Sequence, residues 1–114
     1  MNRRVLFAFI VALGATLHAN ADCLTDQHGN VVCGKGQCEA DQYGKVFCAR
    51  LGGGAMRDDY GNVQCGAGYC AKDSLGQVWC ATAPGASAAV DSYGKVICAG
   101  ACAAGTPSLC EVAK

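Results

Sequence analysis

The sequence predicts a small all-β, disulfide-rich fold: tandem short β-hairpins stacked into one slightly elongated body. Three observations predict it. The motif Asp-x-x-Gly-x-Val-x-Cys occurs five times, at residues 26–33, 41–48, 58–65, 73–80 and 91–98. All ten cysteines follow residue 21, a density that marks a disulfide scaffold in a short exported chain. Large apolar side chains are scarce in that part, because much of the 52% hydrophobic content is alanine, cysteine and the N-terminal stretch. A chain so thinly supplied needs covalent links in place of a large core.

Residues 1–21 read as a cleaved export signal. Arg3 and Arg4 make a basic start, residues 5–17 an apolar stretch, and Ala19-Asn20-Ala21 a small-x-small cleavage site. That stretch is short for a bilayer span, and no later segment is apolar enough to anchor the chain. Residues 22–114 are expected to form a single disulfide-pinned domain in the periplasm or outside the cell. Without Arg3 and Arg4, seven basic residues face nine acidic ones, a balance of about −2. The basic residues are scattered, so the concentrated positive face that nucleic acid requires is missing.

Each motif copy reads as one hairpin. Asp at the first turn position accepts hydrogen bonds from amides ahead of it. Gly three residues later supplies the left-handed conformation that follows a type I turn. In the first copy Asp26 then faces Asn30, Thr25 faces Val31, Leu24 faces Val32 and Cys23 faces Cys33. The same register sets Cys38 against Cys48 and Cys70 against Cys80, close enough in each case for a disulfide. The turn residues alone fix this register, so the facing cysteines support it independently. Strand alternation puts Val31, Val46, Val63, Val78 and Val96 on the cystine face as an apolar spine. The opposite face varies from copy to copy: Leu24 with Val32, Glu39 with Phe47, Met56 with Gln64, Ala71 with Trp79, and Ala89 with Ile97.

A longer period groups the copies. Cys33-Gly-Lys-Gly-Gln-Cys38 joins the first two and Cys65-Gly-Ala-Gly-Tyr-Cys70 the next two, 32 residues later. Longer connectors, residues 49–55 and 81–88, follow each pair. Such periods mean stacked units that bury surface against their neighbours. The third and fifth copies carry Ala55 and Ala88 where the others have a leading cysteine. Cys65 and Cys98 are thereby left over, together with Cys102 and Cys110, and three pairings remain open. The expected solution joins Cys65 to Cys98 and closes Cys102 with Cys110 as a terminal clip.

No reaction can be read from these residues, and no catalytic residue, cofactor site or metal site is assigned. His28, the one histidine after residue 21, occupies a turn position and lacks a nucleophile beside it. Asp59 is a spare acid next to Asp58, without the alternating acids of a calcium loop. The glycines at residues 52–54 lack the Lys-Ser or Lys-Thr of a phosphate loop. No cysteine pair has the two-residue spacing of a redox dithiol.

The reading is therefore an exported, non-enzymatic structural or binding protein of the cell envelope or extracellular space. One alternative is thiolate sequestration of copper or zinc by the ten cysteines. Another is a small secreted toxin or inhibitor. If the protein binds, the turn tips are the candidate contacts. His28, Tyr43, Tyr60, Leu75 and Tyr93 stand just before each turn Gly, a mostly aromatic row suited to a glycan or an envelope protein. The competing expectation is that each tip packs against the neighbouring repeat.

Overall fold

The computed structural model describes residues 22–114, so the export segment expected at residues 1–21 lies outside the described residues. Five antiparallel hairpins follow one another. They are β1 (Asp22–Thr25) with β2 (Val31–Gly34), β3 (Cys38–Ala40) with β4 (Val46–Ala49), β5 (Gly54–Arg57) with β6 (Val63–Gly66), β7 (Cys70–Lys72) with β8 (Val78–Ala81), and β9 (Ala88–Val90) with β10 (Val96–Cys98). Two further strands, β11 (Cys102–Ala104) and β12 (Cys110–Val112), flank a 3-10 turn at Pro107–Leu109.

All five turns close in the same way. The motif Asp accepts, through Oδ1, the amides two and four residues ahead, at 2.9–3.0 Å. Its own backbone pairs with the residue four ahead and accepts the Gly amide. Gly29, Gly44, Gly61, Gly76 and Gly94 hold φ between 82° and 87°, a region that favours glycine. The register follows: Cys23 lies opposite Cys33, Cys38 opposite Cys48 and Cys70 opposite Cys80. The structure joins each of these three pairs by a disulfide. Ala55 and Ala88 stand in the same register position, facing Cys65 and Cys98.

The hairpins stack in chain order, always with the same side forward. Leu24 and Val32 of the first hairpin pack on Cys38, Val46 and Cys48 of the second. Phe47 of the second packs on Ala55, Val63 and Cys65 of the third. Each cystine-and-valine face thus covers the variable face of the hairpin before it. The fit is close enough to require glycine in the connectors. A Cβ on Gly34 would fall on the Cys48 side chain, and one on Gly66 on the Cys80 side chain. The largest fully buried side chains are Cys48, Cys65 and Cys80, so sulfur occupies the place of a conventional apolar core. Val46, Val63, Val78 and Val96 are buried, but Val31 is 69% exposed. The expected spine of five is a spine of four, because among the described residues no hairpin stands before the first to cover Val31.

After β10 the chain turns at Gly100 (φ 95°) and runs back along the stack. β11 pairs with β8, setting Ala103 opposite Cys80. Thr106 exchanges two backbone hydrogen bonds with Cys65, both 3.0 Å. β12 pairs with β4, setting Glu111 opposite Cys48. Lys114 exchanges two more with Cys33, at 3.1 and 3.2 Å. The closing cysteines of hairpins four, three, two and one therefore meet residues 103, 106, 111 and 114 in turn. Within each pair the contacts are three positions apart along the tail, and between the pairs they are five positions apart. The extra length in that gap is taken up by the 3-10 turn, capped where Thr106 Oγ1 accepts the Ser108 amide.

This return strand overturns the two remaining bridges. Cys65 is joined to Cys110, not to Cys98, and Cys98 to Cys102, leaving Cys110 unavailable to Cys102. Cys65 and Cys98 belong to the third and fifth hairpins, with the fourth stacked between them. Cys102 opens the strand on hairpin four, whereas Cys110 opens the strand on hairpin two. Extended backbone keeps those two sulfurs apart. Each repeat that has Ala in the leading position instead receives its second sulfur from the tail.

Candidate functional site

The stacking rule places all five tips along one edge. Gly44 lies over Gln27, Gly61 over Gln42, Gly76 over Asp59 and Gly94 over Ser74, so each turn rests on the second turn residue of the repeat before it. Backbone hydrogen bonds lock two of these steps, Gln42 N to Gly61 O and Ser74 N to Gly94 O, both 2.9 Å. With that position used for stacking, the third turn residue points outward. His28, Tyr43, Tyr60, Leu75 and Tyr93 are all exposed, with Tyr43 at 76% and Tyr93 at 90%. The expectation that the tips pack against neighbouring repeats is overturned: the residue next to each tip makes that contact.

Between successive hairpins the structure opens three clefts of similar size, two of them lined by tip residues. The cleft between hairpins two and three holds about 380 Å³ and is lined by Phe47, Asp41, Arg50 and Asn62, with Pro107 and Glu111 of the tail. That between hairpins three and four, about 320 Å³, runs beneath Tyr60 and Leu75 past Asp58, Gln64 and Gln77 to Gly105. The third, about 370 Å³, lies between Leu75 and Tyr93 above Trp79, with Asp73 and Lys95 beside it. Each falls at the small end of the range for small-ligand sites. Phe47, Gln64 and Trp79 are the same motif position in three repeats, so one cleft design recurs with a changed floor.

The motif carboxylates stabilise these floors. Asp73 Oδ2 accepts the Trp79 indole N–H at 2.9 Å, and Asp58 Oδ2 accepts the Gln64 amide at 3.0 Å. Asp73 is held below its ordinary pKa by the Trp79 bond first and then by backbone amides. For Asp58, burial pulls the pKa upward, but the Asn62 amide and the Gln64 side chain outweigh it. Asp26 and Asp91 are lowered chiefly by the amides of Asn30 and Lys95. These carboxylates are engaged as acceptors in turns rather than poised to move protons. Asp59, the spare acid, pairs with Lys72 at 3.0 Å and packs beneath the next turn at Gly76.

All ten cysteines are in disulfides, so no thiolate is left to ligate a soft metal. Among the described residues no group of three His, Cys, Asp or Glu side chains converges on a point, and no helix is long and apolar enough to cross a membrane. The tips were visible in the sequence from the turn register. The cleft floors were visible only as the variable face, because their exposure depends on how hairpins stack. Compared with known proteins, the chain matches no family model, no curated protein and no solved structure.

Proposed function

We propose that this chain is an exported, non-enzymatic binding element of the cell envelope or extracellular space, and that it grips an extended glycan along its tip edge. One observation carries the reading: three clefts of nearly equal size repeat between successive hairpins, two of them flanked by outward-pointing tips. Sugar rings stack on aromatic faces and take hydrogen bonds at their edges from carboxylates and amides. Trp79 with Tyr93 and Asp73 in one cleft, Tyr60 with Asp58, Gln64 and Gln77 in another, and Phe47 with Asp41 and Asn62 in the third supply both kinds of contact. A polymer of repeating rings suits a ladder of repeating clefts, since linked weak contacts multiply into avidity.

Export is part of the proposal and is supported by the five disulfides, which persist in oxidising compartments. The non-enzymatic reading is supported by the turn aspartates, each engaged as a hydrogen-bond acceptor, and by the ten cysteines, all held in disulfides.

The test replaces Tyr43, Tyr60 and Tyr93 together with serine and measures retention on insoluble cell-wall polysaccharide. The expected result is an intact fold by circular dichroism with retention lowered by roughly a hundredfold, the scale of lost multivalency. Unchanged retention, or collapse of the fold, would contradict the reading.

A further inference from the structure

Burial through the stack follows one rule and breaks at both ends. In the interior, the cystine face of every hairpin is covered by the variable face of the one before it. At the first hairpin that face is bare: Cys23, Thr25, Val31 and Cys33 are exposed, although the equivalent Val46 is 3% exposed. At the fifth hairpin the variable face is bare: Ala89 is exposed and Ile97 is 52% exposed, whereas the equivalent Val32, Phe47, Gln64 and Trp79 are all partly covered. Stacked-repeat proteins ordinarily finish in terminal units with polar outer faces. This stack ends in apolar surface on both sides.

The two bare faces are the two halves of the contact that the molecule already makes inside itself. We infer that copies of this chain stack end to end, the Ile97 face of one copy seated on the Val31 face of the next. The occupant is a second copy because the interface continues the internal one, with Ile97 meeting Val31 as Val32 meets Val46. The contact is heterologous, since the surfaces differ, and a heterologous contact that does not close into a ring builds an open filament. Such a filament would extend the row of tips. The inference stands on burial alone and does not depend on what the tips bind.

The test uses two single variants of the full chain, Val31→Lys and Ile97→Lys, each placing a charge on one end only. Disulfide mapping confirms that each variant is folded, as expected for exposed positions. Sedimentation velocity over a hundredfold concentration range should show growing assemblies for the unsubstituted protein and monomers for each variant alone. A mixture of the two variants should form one-to-one dimers and nothing larger, because one intact Ile97 face and one intact Val31 face remain. A monomeric unsubstituted protein would overturn the inference, whether the ends stay bare or are covered by residues 1–21. Self-association of either variant alone would also overturn it, showing like ends paired with like.

Discussion

One aspartate oxygen governs each turn. In every repeat Oδ1 of the motif Asp collects two amides, and the Gly that follows takes the positive φ that completes the reversal. Because accepting hydrogen bonds favours the ionised carboxylate, Asp26, Asp58, Asp73 and Asp91 are held below the ordinary carboxylate range, Asp73 first by the Trp79 indole and then by its turn amides. A depressed folded pKa contributes stability that is complete above the unfolded value, near 4, and is lost as pH falls through the folded value. The melting temperature should therefore hold steady from pH 7 to about pH 5 and decline below about pH 4. The double substitution Asp26→Asn and Asp91→Asn keeps an acceptor oxygen at both turns and removes two titrating groups. Thermal melts from pH 2 to 7 should show a shallower acid decline than in the unsubstituted protein, and an unchanged slope would mean these turns do not sense protons. These residues were legible in the sequence because turn chemistry is local: Asp and Gly at fixed spacing determine geometry without help from the rest of the chain. Exposure of Tyr43 and Tyr60 was not legible, since it depends on which turn residue the neighbouring repeat covers.

At the scale of elements, the hairpins are pinned from within and the tail ties them to one another. Register was readable for all five hairpins, including the two that carry Ala55 and Ala88 in place of cysteine. The return strand was not. Residues 99–114 carry no repeat signal, and their spacing of three, five and three between contacts makes sense only beside a stack already in place. Cys102 and Cys110 consequently looked like a local clip, although each reaches a different hairpin. The bridges should differ in worth accordingly. Cys65 and Cys110 are 45 residues apart, while Cys23 and Cys33 are 10 apart. Chain entropy alone gives about 4 kcal/mol for the longer loop and about 2.8 kcal/mol for the shorter. Chemical denaturation of Cys65→Ala with Cys110→Ala, compared with Cys23→Ala with Cys33→Ala, should reproduce that order. The gap should widen further because Cys65 is fully buried and Cys23 is exposed. Equal losses would argue against a tail that holds the stack together.

For the whole molecule, the thin apolar supply noted in the sequence is met by geometry. Sulfur and valine on one face of each hairpin cover the variable face of the last, and connector glycines let the layers approach. The direction of stacking follows from that asymmetry, and so do the tip edge, the clefts and the two bare ends. Stacking itself was legible from the 32-residue period, but its polarity was not, because Val31 and Val46 are identical as motif positions and differ only in having a hairpin in front. The central claim is that one returning strand binds four hairpins in order, and bridge connectivity tests it most directly. Oxidised protein should be digested without reduction and the linked peptides fragmented in a mass spectrometer. The account predicts Cys65 joined to Cys110 and Cys98 to Cys102, with no free thiol. Cys65 joined to Cys98, or Cys102 to Cys110, would contradict it.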